Sequence, residues 1–375
     1  MIRRLKSDDI DRVVFLENDV LNTTLGSDML KSFIDGEFNY AFVYDDMGVK
    51  GYISCSFDGY DVEILNFCVS SDYQNKGIGR ELLNYSLSYF YSKKAISAIL
   101  EVRESNERAI HVYELFGFKN INVRKNYYQN GENAIVMQKV FIPFDDVNDA
   151  YYDLFVKREY LFDSIRVTDE KEPLKYYHNY YKIDSKTNID KLLKNKFDGF
   201  IHFVSNEDLS YKFLDYEISC NAIMHTNLYS IKFLKNKNFI IKRLDSSNLI
   251  SARNFIFNEE KIFGKKYAID SLRSLIDMDY IYHRLNVYLA YFNDKIVGYL
   301  HTFRLDNYAK IDDFFVLDEY QHNGIGQALF KAAIADLAKY GCSDLIIDTD
   351  VNLVGMYRKM GFNQVGQYFK YLKKV

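Results

Sequence analysis

ILNFCVSSDYQNKGIGRELL at residues 64–83 and IDDFFVLDEYQHNGIGQALF at residues 311–330 are two versions of one passage. Each is an apolar run, a polar turn ending in Gly-x-Gly, and the start of an amphipathic segment. A lone Gly-x-Gly carries little information, because it occurs by chance in many loops. Here the same register also brings VKGYIS (49–54) over IVGYLH (296–301). Further on, VYELFGF (112–118) matches MYRKMGF (356–362), with the second copy three residues shorter between the blocks. Shared order, shared spacing and one short deletion identify an internal duplication, which has to be settled before any fold is assigned. The copies occupy residues 1–140 and 240–375, and residues 141–239 between them match neither.

Both copies carry one element pattern. A strand containing Gly-Tyr (49–57, 296–303) leads to an apolar strand (62–69, 309–316), the turn, and a helix. Ile78, Leu82 and Leu87, or Ile325, Leu329, Ala333 and Leu337, recur in that helix near helical spacing. Another apolar strand follows (96–102, 344–349), then a short helix ending at Gly117 or Gly361, where glycine suits a left-handed cap. Strands and helices alternating in this way predict an α/β fold with a mixed sheet in each copy. The intervening segment predicts a small α+β module with helices over 146–162 and 187–196, a loop around Pro173, and strands near 199–204 and 215–224.

The bulk composition narrows the function classes. A length of 375 residues suits two or three domains, and 48% hydrophobic residues with 33 Tyr and 29 Phe leave no case for extended disorder. A net charge of −4, with both signs interspersed, argues against nucleic acid or an anionic membrane as partner. Cys55, Cys68, Cys220 and Cys342 show no metal-ligand spacing and no redox motif, so reduced thiols are expected and no metal site is. The start, MIRRLKSDDIDRVVFLEND, does not read as a signal peptide, and no stretch approaches the roughly 18 apolar residues of a membrane span. The expected compartment is the cytoplasm.

The turn suggests its ligand. At the start of the helix the backbone N–H groups of Asn75, Lys76, Gly77, Ile78, Gly79 and Arg80 converge without helical partners, and the helix dipole favours an anion there. The second copy offers His322, Asn323, Gly324, Ile325, Gly326 and Gln327. A pyrophosphate would sit well in such a nest, since glycine lets the backbone approach closely. A Walker loop would need Lys followed by Ser or Thr, where Arg80 and Glu81 or Gln327 and Ala328 stand. A dinucleotide fingerprint would need a third glycine where Leu82 and Leu329 stand.

The Gln-x-x-Gly-x-Gly turn after an apolar strand resembles the acetyl-coenzyme A pyrophosphate motif of the GCN5-related N-acetyltransferases (GNAT). The resemblance implies two acyl-CoA N-acyltransferase domains and acetyl-coenzyme A as cofactor. It implies contacts from Phe67, Cys68, Val69 and Gln74 as well as the turn in the first copy, and from Phe315, Val316 and Gln321 in the second. Residues 1–140 go further. ILNFCVSSDYQNKGIGRELL, LEVRESNERAIHVYELFGF (100–118) and VRKNYYQNGENAIVMQK (123–139) are similar to the RimI-type ribosomal-protein alanine N-acetyltransferases. That likeness implies Glu101 as base, Tyr113 as acid, Asn106 on the pantetheine arm, and Tyr127 and Tyr128 flanking a peptide amino terminus. LNTTLGSDMLKSF (21–33) lacks the Pro-Trp-Ser turn usual in that family where the acceptor groove is shaped. If the three missing residues fall in the loop after the strand, Glu101 corresponds to Asp348 in the second copy, Tyr113 to Tyr357 and Asn106 to Asp350, with Asn352 nearby as a further candidate cofactor contact.

These residue types suit the chemistry. An N-terminal amine is mostly protonated at neutral pH, so a carboxylate in hydrogen-bond or one-water reach must take its proton before attack on a thioester. A phenol beside the sulfur can protonate the departing thiolate, and a backbone N–H of the strand at 67–69 can polarise the carbonyl oxygen. Three functions stay open: acetylation of a protein N-terminus, such as that of a ribosomal protein; acetylation of a small amine; and one copy reduced to a non-catalytic acyl-CoA-binding or structural module.

Overall fold

The computed structural model describes residues 1–161, 163–170, 178–195, 197, 199–233, 239–258 and 285–374. The chain divides into two compact units. One comprises Met1–Pro143, His225–Lys232 and Arg358–Val365, and the other comprises Phe144–Met224, Phe233–Tyr357 and Gly366–Val375.

In the first unit the strands are β1 (Ile2–Arg4), β2 (Asn39–Asp45), β3 (Val49–Phe57), β4 (Asp61–Val69), β5 (Ser97–Arg103), β6 (Lys119–Arg124) and β7 (Ala134–Val140), in the order β1-β2-β3-β4-β5-β7-β6. Only β4 and β5 run parallel, joined through α3 (Ile78–Ser92); the other pairs are antiparallel. Side-chain alternation along β2 loads both faces of the sheet. Ala41 and Val43 pack with Val13 and Leu16 of α1 (Ile10–Leu21) and Leu30 and Phe33 of α2 (Ser27–Asp35). Phe42, between them, turns to α3, with its ring 5.3 Å from Tyr85 and 5.1 Å from Tyr89. The glycine of the Gly-Tyr motif has a steric reason, because a Cβ on Gly51 would stand 3.0 Å from the Cys68 carbonyl on β4.

α3 also carries buried polar residues that a solvent-facing helix would not bury. Asn84 Nδ2 donates to Thr226 Oγ1 (3.3 Å) and to the Gly361 carbonyl (3.1 Å), and its Oδ1 accepts from Asn227 N–H (2.8 Å). Ser88 Oγ lies 2.9 Å from His225 Nδ1 and accepts from Asn363 Nδ2 at 3.2 Å. The His225 ring stacks on Tyr91 at 4.8 Å. The first unit is therefore completed by short segments far along the chain.

The second unit repeats the strand–turn–helix pattern. Its strands are β8 (Lys157–Leu161), β9 (Ser164–Thr168), β10 (Tyr180–Lys182), β11 (Phe200–Ser205), β12 (Glu217–Asn227), β13 (Ile240–Arg243), β14 (Leu285–Phe292), β15 (Lys295–Leu305), β16 (Tyr308–Val316), β17 (Asp344–Asp350) and β18 (Asn363–Lys374). Helix Ile325–Lys339 joins the parallel strands β16 and β17, as α3 joins β4 and β5. All eleven strands form one sheet, β13-β14-β15-β16-β17-β12-β18-β11-β10-β9-β8. β12, from the segment between the copies, stands next to β17 where β7 stands next to β5. The described strands of residues 141–239 thus share a sheet with those of the second copy, and β8–β11 extend it beyond β18. The helix expected over 146–162 stops early: α5 covers Phe144–Tyr152, and β8 then pairs with β9, Leu161 opposite Ser164. The 187–196 helix reduces to Ile189–Leu192 with a 3₁₀ turn over Leu193–Asn195, and Pro173 lies outside the described residues. All four cysteines are free.

Candidate active site

The two turns have the same backbone. Asn75 (φ 61°) and Gly77 (φ 88°) are left-handed in the first unit, as are His322 (φ 62°) and Gly324 (φ 87°) in the second. Gly77 and Gly324 are the N-caps of their helices. A Cβ on Gly77 would meet nothing within 4 Å, so its dihedral, and not crowding, calls for glycine. Glu81 N–H donates to the Gly77 carbonyl at 3.0 Å and Ala328 N–H to the Gly324 carbonyl at 3.1 Å, so both helices begin their backbone ladder at the same place in the turn. Gln74 Nε2 donates to the Val69 carbonyl (3.1 Å) and Gln321 Nε2 to the Val316 carbonyl (3.0 Å), which ties each turn to the end of its strand.

Beneath the turn the parallel strands part. β4 and β5 pair from Asp61–Ser97 to Ile64–Leu100 and no further, although β4 continues to Val69 and β5 to Arg103. A bulge at Leu65, between the Ser54–Asn66 and Cys55–Ile64 pairs, turns β4 away. A cavity of about 750 Å³ opens along this fork. It brings together Gln74, Asn75, Gly77, Ile78, Gly79 and Arg80 of the turn, Phe67, Cys68 and Val69 of β4, Asn106, Glu101, Tyr113, Tyr127 and Tyr128. Of the residues expected in the first copy, Lys76 alone does not line it; its ammonium lies 4.9 Å from the Tyr73 ring centroid. Asn106 caps α4 (Glu107–Leu115), its Oδ1 accepting from Ala109 N–H at 3.1 Å. Arg108 on α4, which no motif singled out, donates to Asn75 Oδ1 and lines the cavity.

Glu101, 20% exposed, pairs with Arg124 at 2.7 Å. The Tyr127 phenol bonds to the same carboxylate, which raises its pKa above the usual tyrosine value. Tyr113, on α4, is 8% exposed, and burial pushes its phenol up, so it holds its proton at neutral pH. Tyr127 and Tyr128 meet edge to face at 5.2 Å, and the Arg103 guanidinium lies over the Tyr128 ring at 3.8 Å. Glu132 anchors this hairpin by accepting from Ser105 N–H (3.0 Å), Ser105 Oγ (2.5 Å) and Arg103 Nη1 (2.9 Å). The Ser105 hydroxyl, the Ser105 N–H and Arg103 hold its pKa down at about 2 against a reference of 4.5. A depressed carboxylate pKa stabilises the fold above the unfolded value and loses that contribution as pH falls through the folded one. Hairpin order is therefore expected to fall away between pH 4.5 and about 2. Hydrogen exchange at residues 126–133 checks this, and Glu132→Gln should remove the pH dependence.

The second unit has the fork with different contents. β16 and β17 pair from Tyr308–Asp344 to Ile311–Ile347, and the strand register is disturbed at the corresponding place, between Leu300–Phe314 and Thr302–Ile311. Asp348, next after Ile347, thus occupies the place of Glu101, next after Leu100. Both its oxygens are engaged: Oδ1 lies 3.3 Å from Lys310 Nζ, and Oδ2 accepts from Tyr368 at 2.6 Å. Lys310 is fully buried and also pairs with Asp312 at 2.6 Å, whose other oxygen accepts from Tyr151 of α5 at 2.5 Å. Burial opposes charge on Lys310, but the two carboxylates outweigh it and raise its pKa. Tyr357 is 2% exposed, its phenol raised by burial and hydrogen-bonded to Thr349. Asp350 accepts from Asn352 N–H at 2.8 Å and so has the capping position that Asn106 has in the first copy. Where the first copy turns back after β6, β18 runs on without a break to Lys374.

Among the described residues no helix is long and apolar enough to cross a membrane. Residues 11–118 match the acetyltransferase (GNAT) family, and residues 257–371 match a second acetyltransferase (GNAT) domain family. An uncharacterised N-acetyltransferase of Methanocaldococcus jannaschii is 31% identical over 141 residues, 37% of this chain and 90% of the relative. The ribosomal protein bS18-alanine N-acetyltransferase of Salmonella typhimurium is 38% identical over 80 residues, 20% of this chain and 54% of the relative, so the match spans about half of that protein. The crystal structure of a functionally unknown conserved protein from Staphylococcus epidermidis shares the fold with TM-score 0.50 and 20% identity, over 60% of this chain and 96% of that one. Turn, fork and family matches agree in both halves: the chain belongs to the GNAT acetyltransferase family, with two GNAT domains, and is an acetyl-coenzyme A-dependent N-acetyltransferase.

Proposed function

We propose that the first domain acetylates a protein N-terminal α-amine, with Glu101 as base and Tyr113 as acid. The observation that carries this reading is the 750 Å³ cavity lined by the turn, the fork, Glu101, Tyr113 and the Tyr127–Tyr128 hairpin together. Residues 74–80 would hold the pyrophosphate on backbone N–H groups, and the parted strand at 67–69 with Asn106 would line the pantetheine arm. When bound, acetyl-coenzyme A supplies an activated acyl thioester. Glu101 removes the ammonium proton of the acceptor, directly or through one water, so that the lone pair is free to attack. A backbone N–H of β4 at 67–69 polarises the carbonyl oxygen. Tyr113, protonated because it is buried, returns a proton to the leaving sulfur. A ribosomal acceptor, like that named for the Salmonella relative, would place the reaction in the cytoplasm.

Intact-mass measurement after incubation with alanine-starting peptides, polyamines, aminoglycosides and free amino acids tests the acceptor class. Acetylation confined to small amines would replace this reading with the small-molecule one. Tyr127→Ala and Tyr128→Ala are expected to raise KM for the peptide several-fold while acetyl-coenzyme A affinity stays unchanged, as loss of acceptor contacts alone requires. A parallel loss of both affinities with a lower melting temperature would assign the hairpin to packing.

The second domain is proposed as an acetyl-coenzyme A-binding partner that does not transfer. It keeps the turn geometry, but Asp348 is held by Lys310 and Tyr368, and β18 runs on unbroken where the first copy has its tyrosine hairpin. Calorimetry should then find two acetyl-coenzyme A per chain, the second lost in Gly326→Glu, since a Cβ on Gly326 would stand 2.7 Å from Phe314 Cζ. One molecule per chain, unaffected by that substitution, would leave the second turn a structural element.

A further inference from the structure

α1 carries a carboxyl group that the reaction at Glu101 does not use. Glu17 is fully buried, and its four partners are neutral. Oε1 accepts from the Tyr52 hydroxyl and from Asn66 Nδ2 at 2.5 Å. Oε2 accepts from Thr24 Oγ1 at 2.6 Å and from Leu25 N–H at 3.0 Å. One side chain so ties α1 to β3, to β4 and to the loop entering α2. Two of these donors, the Leu25 N–H and the Asn66 amide NH₂, cannot act as acceptors.

Asn66 deserves its place in this network for a geometric reason. It is the first residue past the bulge at Leu65, its N–H donates to Ser54 Oγ at 3.1 Å, and its side chain lines the cavity. A carboxamide has one donor end and one acceptor end. With Nδ2 committed to Glu17, the end left over is Oδ1, which has no partner among the described residues. Leu21 and Thr23, in the stretch that Glu17 anchors through Thr24 and Leu25, line the same cavity.

We propose that Asn66 Oδ1 accepts a hydrogen bond from the incoming amine or the N–H beside it, and that Glu17 is the positioning residue that keeps Asn66 turned that way. The inference rests on the reading that an amine is acetylated in this cavity. A neutral acceptor orients the amine without adding charge. A carboxylate at the same place would hold the amine protonated and so oppose its deprotonation by Glu101.

The test uses the full chain with an alanine-starting peptide and spermidine in parallel. Glu17→Gln should raise KM for whichever amine the wild type acetylates by roughly tenfold, the order of one lost hydrogen bond, because an amide donor at position 17 makes Asn66 turn over. Acetyl-coenzyme A affinity should not change. Adding Asn66→Asp to Glu17→Gln should restore KM, since the new amide donates to the new carboxylate, and should move the pH–rate profile upward, since that carboxylate keeps the amine protonated. A purely structural Glu17 would instead lower the melting temperature and weaken both substrates together, with no recovery in the double variant, and that result would overturn the proposal. Independently of any acceptor, the Asn66 side-chain amide protons should exchange slowly in the wild type and quickly in Glu17→Gln; exchange already as fast as a free amide's in the wild type would also overturn it. Acetylation of spermidine but not of the peptide refutes the N-terminal acceptor and leaves this test intact.

Discussion

Glu101→Gln is expected to lower turnover on the true acceptor by a factor on the order of 10² to 10⁴, the range for loss of a general base. The acceptor amine, with an ordinary pKa near 8, arrives mostly protonated at neutral pH. Glu101 stands where β5 leaves β4, in the cavity that Tyr113 also lines. Gln keeps the size and loses the basicity, so affinity for acetyl-coenzyme A should hold while the rate falls. The variant should also recover part of its rate as pH rises above 8, when free amine no longer needs a base. Tyr113→Phe should reduce turnover as well, without that alkaline recovery. Single-turnover mass measurements across pH check both. Full wild-type turnover in both variants would remove these residues from the mechanism.

The duplication and the turn were legible because they rest on local sequence. Glycine at a left-handed position and an apolar face at helical spacing leave their mark within a few residues. The placement of β12 beside β17 left none, because a strand's neighbours depend on distant pairing and not on its own residues. The segment after α5 misled for a related reason: YYDLFVKREYLF carries apolar residues at spacings that suit a helix, yet β9 offers a strand partner that overrides them. Glu17 was invisible, since a single glutamate in an amphipathic helix reads as part of its solvent face. Asn84 and Ser88 on α3 read in sequence as solvent-facing for the same reason. Glu101, Tyr113 and Asn106 are candidates through family resemblance, and composition alone does not single Tyr113 out of 33 tyrosines.

The second large effect concerns that polar seam. Asn84→Leu is expected to destabilise the protein by about 2 kcal/mol, because the buried Asn227 N–H loses the Asn84 oxygen, a lost partner costing roughly 1 to 3 kcal/mol, while the Gly361 carbonyl keeps the Thr226 hydroxyl as donor. Urea denaturation followed by tyrosine fluorescence measures it. Asn84→Asp should also destabilise, since it keeps an acceptor for Asn227 but cannot donate to Gly361 or Thr226. A change below about 0.5 kcal/mol, the size usual at indifferent surface sites, would mean that the seam is solvated and contributes no specificity.

The strand order of the larger sheet bears on how the protein is made. The first sheet is complete once Val140 has been synthesised, and its strand pairs are mostly close neighbours in sequence. The second sheet must wait for β18, which follows every other described strand and stands between β12 and β11. Until it arrives, the β8–β11 block keeps an open edge at β11, with Phe200 and Phe203 lacking the cover they have in the finished sheet. Contacts so distant in sequence form slowly, and open edges invite pairing with other chains. β18 is a keystone: it is synthesised after both of the strands it joins, and chaperone demand should be concentrated in the interval before it emerges.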